Sequence, residues 1–135
     1  LVTAPAVSVF EEHVWSELRG DDERSAATTR AAAEGIMDTV GSRGFNPRPL
    51  LGALTIPGLW LFGDEDNSIP TQKSVVVLDS LRTSAGQDFS TVRFPRAGHA
   101  LITRSAGVIP HIEPASWGRL TGWLQQHGAR TEGAR

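Results

Sequence analysis

The chain has 135 residues, of which 39% are hydrophobic and 21% are charged, and its formal net charge is −2 at pH 7. This length suits one domain with its own core, while the interspersed charges provide no basic surface for nucleic acid and no polybasic segment for a membrane. Because the chain contains no Cys, it has no disulfide, no thiolate metal site and no cysteine nucleophile.

The two ends of the chain differ in character. Leu1–Ala4 is an apolar, strand-like run with no initiator Met before it, so we expect residue 1 to be a cut within a longer protein, with any leader upstream. No apolar run reaches the roughly 18 residues of a membrane span, and the expected location is cytoplasmic. Residues 130–135 offer little to bury and are expected to be disordered. Lys73 is the single Lys among 13 basic residues, which is typical of a high-GC bacterial source.

Two helices are predicted after the first strand. Ser8 and Glu11 have the spacing of a capping box, so a helix should begin after Ser8 and end near Gly20. Its buried face would carry Phe10, Val14 and Leu18. A second helix is expected from Asp21 to about Val40. Its buried residues would be Ala33, Ile36, Met37 and Val40. A connector rich in Gly and Pro, 41–49, ends this helical part.

Strands and helices alternate in the second half of the chain. Leu59–Phe62 is continuously apolar, which is typical of a strand covered on both faces. Pro70 suits the first turn of a helix that reaches about Ser84. The run Val75–Leu78 would also permit a strand, but the spacing of Val75, Leu78 and Leu81 favours the helix. Phe89–Phe94 alternates like a strand.

The final predicted element is a helix that ends near Gly128. It would bury Trp117, Leu120 and Leu124, which lie at positions i, i+3 and i+7. The order strand, helix, strand, helix predicts an α/β protein whose parallel strands are joined by right-handed crossovers.

Two polar motifs follow the two predicted strands. The first strand ends at Gly63, Asp66 follows three residues later, and Ile69–Pro70 precedes the next helix. Thirty-three residues after Asp66, the second strand is followed by Gly98 and His99. The carboxyl ends of neighbouring parallel strands meet at one edge of a sheet, where α/β proteins place their sites. We therefore expect the carboxylate and the imidazole to lie within hydrogen-bonding reach.

Together these motifs resemble the α/β-hydrolase superfamily over roughly 49–126, with 1–8 similar to its preceding strand. Prolyl-oligopeptidase-like members and small esterases fit about equally well. The resemblance implies that 1–135 is a single partial domain, the C-terminal part of an α/β-hydrolase fold. It would contain about three parallel strands, flanking helices, and a helical insertion over 9–45 in the place of the family's cap. That cap roofs the substrate pocket, and Val9, Phe10, Trp15, Met37 and Phe45 would line either the pocket or the cap's own core.

The resemblance also assigns roles. Asp66 would be the catalytic acid, which orients His99, and His99 would be the base that takes a proton from a serine and returns it to the leaving group. Asp66 could instead cap the following helix, as could Ser68, and His99 could be a structural turn residue. Asp64 and Glu65 are expected to be solvated loop charges. The remaining histidines, His13, His111 and His127, are expected to be surface or interface residues.

Metal and phosphate chemistry fit the sequence less well. The acidic run Asp64–Asp66 lacks the Gly and the distant Glu of an EF-hand calcium-binding loop. A phosphatase would need an acid just after the first strand, where the chain has Ala4–Ala6. No metal or cofactor is expected.

The serine nucleophile is not apparent. In this superfamily it lies in a G-x-S-x-G elbow between a strand and a helix, before the acid and the base. The nearest match, Val40–Gly44, has Val at the first Gly and follows a helix, so Ser42 is not expected to be the nucleophile. Ser105 follows His99 and fits no better. The nucleophile is expected upstream of Leu1.

The function expected is that of a serine hydrolase acting on ester, thioester or peptide bonds through an acyl-serine intermediate, with a small molecule or peptide as its substrate. The 135-residue chain alone should be inactive, because it would supply the acid and the base without the nucleophile. The alternative is a non-catalytic α/β-hydrolase-like fragment used for dimerisation or partner binding. If the chain is truncated, Leu1–Ala4 would form an exposed edge strand through which copies self-associate.

Overall fold

The computed structural model describes residues 6–20, 28–105 and 107–128. Helices and strands are mixed over these ranges, as expected for the α/β class. The elements in chain order are helix α1 (Val9–Arg19), α2 (Arg30–Met37), α3 (Arg48–Gly52), strand β1 (Gly58–Gly63), α4 (Thr71–Ser84), β2 (Phe89–Phe94), a 3-10 turn (His99–Leu101), β3 (Ile102–Ser105), β4 (Val108–Ile112) and α5 (Ala115–Gly128). The predicted strand Leu1–Ala4 and the predicted tail 130–135 lie outside the described residues.

Helix α1 begins where its capping box predicts. Glu11 donates its backbone N–H to Ser8 Oγ at 3.3 Å, and Ser8 donates its own N–H to Glu11 Oε2 at 2.7 Å, so two unpaired helix-end groups are satisfied. Trp15 is the buried aromatic residue of this helix, whereas the predicted Phe10 is only partly buried. The predicted Val14 and Leu18 are partly buried and pack against the cluster of Trp15, Ala33 and Met37.

Helix α2 corrects the predicted second helix. It begins at Arg30 rather than at Asp21, because Thr29 has an extended backbone and its Oγ1 accepts the Ala32 N–H at 3.2 Å. The stretch 21–27, over which that helix was expected to begin, lies outside the described residues. Ala33 and Met37 are buried against Trp15. Ile36, predicted to be buried, is exposed.

The central part of the chain is a parallel strand pair crossed by a helix. β1 and β2 pair in parallel from Gly58↔Phe89 to Gly63↔Phe94, and helix α4 connects them. The core here consists of Ala6, Phe62, Leu78 and Phe89. These observations confirm both predicted strands, their parallel pairing, and the helix over Val75–Leu78.

The C-terminal part departs from the prediction. After the 3-10 turn, β3 and β4 form an antiparallel hairpin where no strand was predicted. Two of the about three expected parallel strands, β1 and β2, are present, and the third, Leu1–Ala4, lies outside the described residues. Helix α5 has the predicted end, but Trp117 is 60% exposed and Leu124 51% exposed. The prediction was therefore wrong for these two residues, whereas Leu120 is partly buried. The helix contacts β1, and its Trp123 stacks on His127. None of the helices in the described ranges is long and apolar enough to cross a membrane.

A buried carboxylate joins α1 to the connector and to α4. The Glu11 side chain is 1% exposed, and its Oε1 lies 2.7 Å from Arg48 Nη2 and 3.5 Å from Lys73 Nζ. Ser42 donates its hydroxyl to Glu11 Oε2 at 3.2 Å. Burial alone would raise the pKa of Glu11, but the hydrogen bonds from Ser8 and Arg48 and the charge of Arg48 outweigh it and lower this pKa to about 2.

This network makes the stability dependent on the ionised form of Glu11. Because the folded pKa of about 2 lies below the ordinary 4.5, the stabilisation is complete above pH 4.5 and is lost as the pH falls towards 2. We expect Glu11→Gln to lower the free energy of unfolding at pH 7 by about 3 kcal/mol, and by less at pH 3. Urea denaturation of the complete protein at both pH values measures this, with Glu12→Gln as the control on the same helix. Equal losses for the two variants at pH 7 would contradict the assignment.

Candidate active site

The two loops that carry the polar motifs leave the same edge of the strand pair. β1 ends at Gly63 and β2 at Phe94, which are register partners. The Asp64 N–H donates to the Phe94 carbonyl at 3.0 Å, and the Glu65 N–H donates to the Ala97 carbonyl at 2.9 Å. These bonds extend the parallel pairing past the end of the strands, so the two loops hold each other in place.

The structure brings Asp66 and His99 together. Asp66 Oδ2 lies 3.1 Å from His99 Nδ1, which is within hydrogen-bonding range. The Asp66 side chain is 6% exposed, whereas that of His99 is 58% exposed. The contact expected from the sequence is therefore present, with the carboxylate inside and the imidazole at the surface.

The second carboxylate oxygen of Asp66 shapes its own loop. Oδ1 accepts the backbone N–H of Ser68 at 2.7 Å and that of Ile69 at 2.9 Å. Both donors precede α4, which begins at Thr71 and has no side-chain cap, so neither Asp66 nor Ser68 caps that helix. One carboxylate oxygen of Asp66 thus binds the loop backbone, and the other faces His99.

Two residues contact the Asp66 backbone although the sequence did not predict either contact. Trp15 Nε1 donates to the Asp66 carbonyl oxygen at 3.2 Å, and the Arg30 guanidinium donates to the same oxygen at 3.3 and 3.4 Å. Trp15 is among the residues expected from the sequence to line the pocket or the cap's own core, but no local pattern connects it to a loop 51 residues away.

The turn after the imidazole has an unusual backbone. Ala100 and Leu101 have φ values of 56° and 59°, a left-handed conformation that costs non-Gly residues roughly 1–2 kcal/mol each. The Gly98 N–H donates to the Ile102 carbonyl at 2.8 Å and closes this turn. Such local strain is concentrated at functional sites, and no Gly at either position revealed it in the sequence.

The other candidate groups lie elsewhere. Asp64 pairs with Arg93 at 2.6 Å, and Glu65 is an exposed loop charge 3.9 Å from Arg30. The Ser42 hydroxyl contacts Glu11 and Arg48.

Among the other histidines, His13 and His111 are exposed and His127 is partly buried against Trp123. Within the part of the chain that the structure describes, no group of three or more His, Asp or Glu side chains could hold a metal ion.

A cavity of about 450 Å³ lies between the α1–α2 pair and α4. Of the residues expected to line a pocket, Trp15 and Met37 line it, together with Lys73, Val76 and Val77. Asp66 and His99 are not among its lining residues, so the cavity does not indicate where a substrate binds. The predicted lining residues Val9 and Phe45 are exposed, and Phe10 contacts Arg43.

Part of the chain is similar to two curated proteins. Both are named "Putative carboxymethylenebutenolidase"; the one from Yersinia pestis is 37% identical over 79 residues, and the one from Escherichia coli K12 is 35% identical over 81 residues. The matches cover 56% and 57% of this chain but 28% of each relative, so the chain spans less than a third of their length. No family model matches the chain. No solved structure matches it either.

Gly63 provides a test of the site's framework. A Cβ at this position would lie 2.2 Å from the Ala97 carbonyl oxygen and 2.5 Å from that of Gly98, and neither backbone atom can move without displacing the loop before His99. We expect Gly63→Ala to destabilise the protein by about 2 kcal/mol or more, as overpacking does, and to weaken the Asp66–His99 contact. Thermal unfolding measures the first effect. The control is Gly118→Ala, since a Cβ there meets nothing within 4 Å. Similar melting temperatures for the two variants would contradict the close approach.

Proposed function

We propose that this chain supplies the acid and the base of a hydrolase that cleaves ester bonds through an acyl-serine intermediate. The observation that carries the proposal is the 3.1 Å contact between Asp66 Oδ2 and His99 Nδ1, made by a buried carboxylate whose other oxygen is already bonded to the loop. A carboxylate fixed in this way selects the imidazole tautomer that carries its proton on Nδ1.

The proposed mechanism follows from that tautomer. With its proton on Nδ1, His99 has a free lone pair on Nε2, and its exposed ring leaves room for a reacting group. Nε2 accepts the proton of a serine hydroxyl as the serine oxygen attacks the carbonyl carbon, and then returns it to the departing alkoxide. Water then attacks the carbonyl carbon of the acyl-serine. Nε2 takes a proton from this water and returns it to the serine oxygen, and the acid product is released. Asp66 stays ionised and stabilises the imidazolium that forms.

The nucleophile is proposed to lie N-terminal to Leu1 in the complete protein. The sequence contains no G-x-S-x-G elbow, and the nearest match contains Ser42, whose hydroxyl is bonded to Glu11 and Arg48. Within the described residues, the hydrogen bond recorded for the His99 side chain is the one to Asp66.

The names of the two relatives favour ester bonds. Both are named for a butenolide, which is a cyclic ester, and this favours esters over thioesters and peptides as the substrate class. The helical pair α1–α2 is proposed to occupy the position of a cap. It lies beside the acid loop, since Trp15 contacts Asp66 directly.

The proposal is tested by labelling the complete protein with a fluorophosphonate, which reacts covalently with activated serines. Loss of the base should slow labelling by about 10²–10⁴-fold for His99→Ala, because the serine proton no longer has an acceptor. Asp66→Asn should slow it as well, since the amide no longer fixes the tautomer. His111→Ala, at an exposed histidine, is the matched control and should label like the wild type. Labelling that His99→Ala leaves unchanged would remove His99 from the mechanism and reject the proposal, whereas a wild-type protein that does not label would support the non-catalytic alternative.

A further inference from the structure

The Asp66 carbonyl oxygen is a point of convergence for two helices. Trp15, from the middle of α1, donates its indole N–H at 3.2 Å. Arg30, the first residue of α2, donates from both terminal nitrogens at 3.3 and 3.4 Å, and its guanidinium lies 5.4 Å from the centre of the Trp15 ring. The next residue, Asn67, accepts from Arg30 at 3.3 Å and from Arg19 at 3.4 Å through its side-chain oxygen.

The donors themselves are fixed in place. Trp15 is 1% exposed and packs with Ala33 and Met37 in the core between the two helices. A buried indole N–H needs an acceptor, and the Asp66 carbonyl is the one it has among the described residues. The Arg30 side chain is held by the Trp15 ring below it and by the acid loop at its end.

This clamp differs from the other bonds of Asp66. The Ser68 and Ile69 N–H groups belong to the same loop, so they define its shape without placing it in the molecule. The Glu65 N–H ties the loop to the side that carries His99. Trp15 and Arg30, which belong to the helical pair α1–α2, hold the loop at the Asp66 carbonyl oxygen. The backbone of the acid is therefore fixed between the two.

We propose that Trp15 and Arg30 are positioning residues for Asp66, so that the helical pair α1–α2 sets the direction of the carboxylate towards His99. Among the described residues, the hydrogen bond recorded for the imidazole is the one to Asp66, so Trp15 and Arg30 are proposed to act on His99 through Asp66. Holding the Asp66 carbonyl fixes the position of its Cα and therefore the direction of the Cα–Cβ bond, which carries the carboxylate and its Oδ2. The catalytic consequence rests on the function proposed above, whereas the structural consequence does not.

The test removes the indole N–H while keeping an aromatic ring. In the complete protein, we expect Trp15→Phe to lower kcat for p-nitrophenyl acetate about 10-fold with little change in KM, because a small displacement of a positioned group slows the chemical step. The control Trp117→Phe alters an exposed tryptophan and should leave both constants unchanged. Arg30→Gln, at a side chain that is 24% exposed, should also lower kcat and serves alone if Trp15→Phe does not fold. The two substitutions should combine non-additively, since they remove donors from one acceptor.

A second readout separates this inference from the proposed function. Long-range ¹H–¹⁵N NMR reports which nitrogen of His99 carries the proton, and Trp15→Phe or Arg30→Gln should reduce the Nδ1–H tautomer relative to wild type. Loss of kcat in His99→Ala with an unchanged kcat and tautomer in the Trp15 and Arg30 variants would overturn the positioning role alone. Full activity in His99→Ala would overturn the proposed function. The positioning role would then still be decided by whether Trp15→Phe and Arg30→Gln reduce the Nδ1–H tautomer of His99.

Discussion

Asp66 bonds through three oxygens to three separate parts of the chain. One carboxylate oxygen accepts two backbone N–H groups of the loop that follows, the other faces His99, and the carbonyl oxygen accepts from α1 and α2. A carboxylate that is nearly withdrawn from water is costly unless hydrogen bonds replace its hydration. The loop and the imidazole turn supply that replacement for the carboxylate, while the helical pair binds the backbone carbonyl oxygen of the same residue. Their relative positions are consequently coupled through one residue.

A second buried carboxylate shows how differently such a group can be used. Glu11 pairs with Arg48 and Lys73, and the hydrogen bonds from Ser8, followed by the hydrogen bond and the charge of Arg48, outweigh burial and hold its pKa low. These ion pairs join α1 to α3 and α4. Asp66 has backbone N–H groups on one oxygen and a titratable, exposed imidazole on the other. A carboxylate whose partner can gain and lose a proton is suited to proton transfer, whereas one paired with permanent cations is suited to stability.

The sequence predicted those features that are fixed by local patterns. The continuous apolar run before Gly63, the alternation in Phe89–Phe94 and the capping box at Ser8 each determine an element, and all three are present. Parallel pairing then brings Asp66 and His99 to one edge, which is why their contact could be expected from the two strand-end motifs and the family resemblance that they carry.

The features that the sequence did not predict depend on tertiary contacts. Nothing near Trp15 indicates that its indole meets a loop 51 residues away. The left-handed backbone at Ala100 is held by the closed turn around it, and it has no Gly to mark it. The stripe through Trp117 and Leu124 has helical spacing, but it faces outwards here, because spacing identifies a face without identifying what covers it. The catalytic roles of Asp66 and His99 stay predictions.

The most direct measurement is a crystal structure of the complete protein after reaction with a fluorophosphonate. If this account is right, phosphorus is bonded to a serine oxygen, His99 Nε2 lies within about 3 Å of that oxygen or of a phosphonyl oxygen, and Asp66 Oδ2 still contacts Nδ1. An adduct on a serine remote from His99, or an imidazole turned away from Asp66 in the labelled protein, would contradict it.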